Sequence, residues 1–125
     1  MGLISGLLGH TSRTDISKLQ EEFQPTLVDG ETLVGAYKVL RDMIVFTTKR
    51  LILGDKQGMT SSKTEYQSIP HARIVRFSTE SAGILDLEVA LKIWIVGQPL
   101  AITKTFGKNE NVNEVYQILS RAALD

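Results

Sequence analysis

Residues Leu85 to Val96 constrain this chain more than any other stretch. Large aliphatic residues hold every odd position, as Leu85, Leu87, Val89, Leu91, Ile93 and Ile95. The even positions read Asp86, Glu88, Ala90, Lys92, Trp94 and Val96. Strict alternation gives one buried face and one exposed face, which is the pattern of a strand and not of a helix. Burying those six aliphatics at about 1.5–3 kcal/mol each supplies roughly 9–18 kcal/mol of gross stabilisation. That is a large share of what a small domain needs to offset its ordering entropy. At about 3.3 Å per residue such a strand is roughly 40 Å long, enough to bend across two halves of a barrel.

The 125 residues fit one domain with a core of its own. Lysine plus arginine and aspartate plus glutamate each number 14, for a formal charge of zero. A neutral chain lacks the broad positive field used in nonspecific nucleic-acid binding, so no nucleic-acid partner is expected. The absence of cysteine excludes disulfides, a thiolate nucleophile and zinc–thiolate sites, and fits a reducing compartment. The apolar start, Met1 to His10, lacks the basic leader and cleavage site of a signal peptide. It is also far too short to span a bilayer. Gly2 does not complete a myristoylation motif, because Gly6 stands where serine or threonine is needed. A cytoplasmic protein is the expectation.

Taken in order, the chain reads as two parts, residues 1–28 and 29–125. In the first, Leu3, Ile4, Leu7 and Leu8 share one helical face. They form either a flexible tail or a segment that docks on its own domain, or else a helix that engages a neighbouring subunit or a membrane surface. Ile16, Leu19 and Phe23 then fall at helical spacing behind a cap at Thr14 or Asp15, with Lys18, Glu21 and Glu22 facing water. Pro25 stops that helix. Asp29-Gly30 is a turn. Strands are predicted over 33–39, 43–47, 50–54, 64–69, 73–79, 85–96 and 100–106. Pro70 lacks a donor and belongs at an edge or a break. Gly97-Gln98 suits a two-residue type II′ hairpin loop. A final helix, capped by Asn111 or Asn113, carries Val112, Val115, Tyr116, Leu119 and Ala122 or Ala123 on one face. The expected fold is mainly β: a strongly bent, seven-stranded antiparallel barrel. The C-terminal helix plugs it, and a short helical extension precedes it.

Within this order, the run from Asp42 to Leu53, DMIVFTTKRLIL, resembles the signature of the small bacterial pleckstrin-homology (PH) domain family, formerly a domain of unknown function. Glu65 to Pro70, Leu91 to Ile95, Phe77-Ser78, Glu80 and Ala82-Gly83 are similar to it as well. The likeness covers roughly Thr32 to Leu119. His71 departs from it, standing where a tyrosine is usual, and so does Ser61-Ser62-Lys63 in place of a Gly-Lys-Lys-like turn. The resemblance implies the barrel, a stand-alone domain, a tendency to ring-like self-assembly, and no catalytic activity. It does not carry over lipid-headgroup binding. The first hairpin offers only Lys38 and Arg41 beside Asp42, without the basic cluster that such binding uses.

No catalytic, cofactor or metal site is expected. Ser68 and His71 lack a glycine elbow or oxyanion loop. His10 and His71 lack paired-ligand spacing, and no glycine-rich phosphate loop is present. Lys49 and Arg50, at a hairpin tip, are candidate anion contacts that Asp42 or Asp55 could neutralise. Trp94 is on the even face of the long strand beside Val96, which marks both as interface candidates together with Leu3 and Leu7. The function expected is a non-catalytic binding or scaffold module that pairs with itself through strand edges, a homo-oligomer and in one form a ring. Beyond itself it would engage a protein partner that the sequence does not identify. The alternative is a peripheral membrane or lipid-binding module that uses the apolar N-terminal segment.

Overall fold

The structure, a computed structural model, describes residues 13–39, 42–56, 64–81, 88–107 and 112–124. The chain divides into two compact units, Met1–Ile69 and Pro70–Asp125. In the first unit, helix α1 (Arg13–Phe23) runs into a 3-10 turn (Gln24–Thr26) containing Pro25. Strands β1 (Leu33–Val39), β2 (Asp42–Thr47), β3 (Arg50–Lys56) and β4 (Thr64–Pro70) follow and form one sheet in that order. In the second unit, a 3-10 turn (His71–Arg73) leads into β5 (Ile74–Ser81), β6 (Glu88–Ile95) and β7 (Ile102–Gly107), a separate three-stranded sheet. Helix α2 (Val112–Leu124) ends the chain.

The seven strands stand close to where alternation puts them, but the expected seven-stranded barrel is not what they build. The fold is a mixed α/β arrangement of a four-stranded and a three-stranded antiparallel sheet. Among the described residues neither sheet closes on itself. The break falls at Pro70. A proline has no N–H to carry a ladder onward. The 3-10 turn that follows it redirects the chain before Ile74 begins the new sheet.

In the first sheet both faces are apolar. Ala36, Val45 and Ile52 lie side by side across β1, β2 and β3, while Tyr37, Ile44 and Leu53 lie across the opposite face. A register shift between Leu33 and Gly35 brings Leu33 onto the face of Ala36, although the two are an odd number of residues apart. Helix α1 covers that face. Leu19 is buried against Leu33, Ala36, Val45 and Ile52, flanked by Ile16, Phe23, Leu27 and Met43. An 11-residue helix is marginal alone. Its apolar stripe and one polar tie hold it here, the tie being the Leu33 N–H donating to Gln20 Oε1 at 2.8 Å. Lys18, Glu21 and Glu22 face solvent as expected.

In the second sheet Leu91, Ile93 and Ile95 are buried and the even residues between them half-buried. Leu85 and Leu87 of the predicted strand lie outside the described residues. The expected II′ loop is corrected. Gln98 N–H donates to Ile95 O at 3.1 Å, so Gly97 is the third residue of its turn, with φ +81°. That is the type II position for glycine. Strand β7 starts only at Ile102, which leaves Leu100 in the loop and 81% exposed. Helix α2 plugs no barrel. It buries Val115 and Leu119, and Tyr116 meets Phe77 of β5 edge-on at 5.1 Å.

Candidate binding site at the fourth strand

A cavity of about 330 Å³ opens on the helix-covered face of the first sheet, lined by Glu22, Phe23, Thr26, Ile52, Tyr66 and Ser68. Helix α1 supplies Glu22 and Phe23 at its C-terminal end, and the following 3-10 turn supplies Thr26. Tyr66 and Ser68, two apart on β4, point to the same side. The Phe23 and Tyr66 rings are perpendicular at 5.9 Å and form two walls of the cavity. Gly54 lets Tyr66 lie there: a Cβ on it would stand 3.0 Å from Tyr66 Cε1.

Beside the cavity lies the most constrained polar cluster among the described residues. Glu31 follows a turn in which Gly30 takes φ +83° and Glu31 N–H donates to Val28 O at 3.0 Å. Its side chain is fully buried and accepts four hydrogen bonds. Arg50 gives two, Nη2 to Oε1 at 2.7 Å and Nε to Oε2 at 2.8 Å. Thr47 Oγ1 donates to Oε2 at 2.5 Å, and Val28 N–H donates to Oε1 at 3.0 Å. These fill all the acceptor positions of a carboxylate. Burial alone would raise the Glu31 pKa. The Arg50, Thr47 and Val28 hydrogen bonds and the Arg50 charge outweigh it, and hold the value at about 2. Thr47 Oγ1 also accepts from the N–H groups of Lys49 and Arg50 at 3.0 and 2.9 Å, which fixes the hairpin. The outer edge of the guanidinium then reaches the cavity lining, with Nη1 donating to Ser68 Oγ at 3.3 Å and Nη2 to Thr26 O at 3.4 Å.

Of the residues singled out in the sequence, Lys49 is exposed on its turn, and Arg50 is committed to Glu31 rather than to Asp42 or Asp55. Trp94 is half-buried on the outer face of β6, where the guanidinium of Arg76, its cross-strand neighbour, sits 4.0 Å above the ring. Val96 is 52% exposed. Leu3, Ile4, Leu7 and Leu8 lie outside the described residues. Alternation does not single out Glu31, which is buried two residues before Leu33 and just ahead of the register shift. A carboxylate on a dry face calls for a cation. Among the described residues no group of three or more His, Asp or Glu side chains is placed to hold a metal ion, and no helix is long and apolar enough to cross a membrane.

The family model for the bacterial PH domain matches residues 2–123. The Bacillus subtilis (strain 168) protein YjqA is 49% identical over 125 residues, covering 99% of this chain and 100% of YjqA. The crystal structure of a pleckstrin homology domain from Shewanella amazonensis SB2B superposes with a TM-score of 0.82 at 44% identity, covering 88% of this chain and 99% of that one. A DUF1696 family protein with a pleckstrin-homology domain from Shewanella loihica PV-4 gives 0.78 at 41% identity, covering 86% and 92%. With matches of this extent in both sequence and backbone, the chain belongs to the bacterial PH-domain family.

Proposed function

We propose that this PH-like domain acts by self-association, pairing through the edges of its sheets into a closed homo-oligomer. Its family consists of non-catalytic scaffold and binding modules. The observation that carries the finer reading is β4. Among the described residues it is an edge strand of the four-stranded sheet, and Glu65, Tyr66, Gln67 and Ser68 are exposed in succession. An edge exposed on both faces offers its outward N–H and C=O groups to another strand. The opposite edge, β1, has a different sequence, which favours head-to-tail pairing, and such pairing closes into a ring where the rotation allows.

Light scattering is expected to return a mass that is a multiple of 13.8 kDa. Successive N–H groups of a strand point to opposite sides. Of Gln67→Pro and Ser68→Pro, therefore, one removes an outward donor while sparing the β3 ladder. That variant is expected to keep the parent melting temperature and become monomeric. A parent chain that is monomeric at working concentration, or two folded variants that keep the oligomer mass, would overturn the reading.

A further inference from the structure

We infer that the strand that adds to β4 brings a lysine or arginine side chain, and that the Phe23–Tyr66 cavity receives it. The inference rests on the reading that β4 accepts an added strand, and it names the chemistry of what arrives. Three observations point to a cation with an apolar stem. Phe23 and Tyr66 stand at right angles edge to face, so the corner they form offers apolar surface along which a methylene chain packs and a ring face toward which a cation is drawn. Ile52 makes the floor apolar. The charge at the cavity is negative: Glu22 lines it and forms no ion pair among the described residues, whereas the neighbouring Arg50 is already neutralised by Glu31. An anionic group entering here would meet the Glu22 carboxylate, and none of the described residues lining the cavity is a lysine or arginine. The geometry suits strand addition, in which main-chain hydrogen bonds give affinity and a pocket beside the edge reads alternate side chains. Tyr66 and Ser68, on the same side of β4, place the cavity beside that edge.

The test uses the full chain and a fluorescein-labelled, acetylated and amidated peptide, Thr-Val-Arg-Val-Thr, followed by fluorescence anisotropy across a protein dilution series. Companion peptides carry citrulline or glutamate at the centre. The arginine peptide is expected to bind about fivefold or more tightly than the citrulline peptide, and the glutamate peptide more weakly still. Glu22→Gln, a change on the exposed face of α1, is expected to erase most of the arginine advantage and leave citrulline binding unchanged. Equal binding of the three peptides, or an arginine advantage that survives Glu22→Gln, would overturn the inference. Arginine amide displacing the peptide at equal concentration would overturn the strand as the source of the cation. Light scattering on the same samples separates the two readings. A chain that stays monomeric yet prefers the arginine peptide ends self-association and leaves the cation site standing. A chain that assembles but binds arginine and citrulline peptides alike does the reverse.

Discussion

Arg50→Ala is expected to cost about 3–5 kcal/mol of unfolding free energy at neutral pH, read by urea denaturation. Part of this is packing, because the Arg50 side chain is only 22% exposed. The larger part is the carboxylate left behind. Glu31 is fully buried, and without Arg50 two of its four hydrogen bonds and its only ion-pair partner among the described residues disappear. Replacing both partners, as Glu31→Leu with Arg50→Leu, is expected to recover most of the loss, because no charge then remains to be desolvated. A cost below about 1 kcal/mol for the single change would mean that the pair acts as an ordinary surface bridge.

The same carboxylate makes stability depend on acid. Its pKa falls from an ordinary value of 4.5 in the unfolded chain to about 2 in the folded one. At about 1.4 kcal/mol per pKa unit, that lowering contributes about 3 kcal/mol. Because the folded value is the lower one, the contribution is complete above about pH 4.5 and is lost as pH falls toward 2. Urea midpoints measured between pH 6 and 2 are expected to drop along this window, and Glu31→Gln is expected to flatten that part of the curve. Glu80, lowered by its hydrogen bond from Lys92 and by that residue's charge, lies on the exposed face of the second sheet and is expected to add little. An unchanged slope in Glu31→Gln would assign the acid sensitivity to other groups.

Much of this architecture is legible in the residues. Alternation finds Leu91, Ile93 and Ile95 as the dry face of β6, and helical spacing finds Leu19 as the anchor of α1. What alternation does not carry is partnership between strands. Nothing in the periodicity of β4 or β5 says whether they share a ladder, and only Pro70 hints that they do not. The long-range ion pair is hidden for a related reason. Sequence proximity pairs Arg50 with Asp42 or Asp55, but the β1–β2 register sets Leu33 opposite Thr47, and a backbone bond from Thr48 N–H to Thr32 O at 2.9 Å brings Glu31 to the hairpin. The cavity needs four elements that are far apart in the chain or read separately, α1, the 3-10 turn after it, β3 and β4. Its aromatic walls, Phe23 and Tyr66, come from stretches read separately as a helix stripe and an edge strand.

That β4 is the edge through which the domain pairs is tested most directly by amide hydrogen exchange as a function of protein concentration. The outward N–H groups among Tyr66 to Ser68 are expected to exchange rapidly in dilute solution. They should slow by about tenfold or more as light scattering reports growth in mass, while the amides of β2, inside the sheet, stay protected throughout. Exchange along β4 that is indifferent to concentration while the mass grows would contradict the account and place the contact elsewhere.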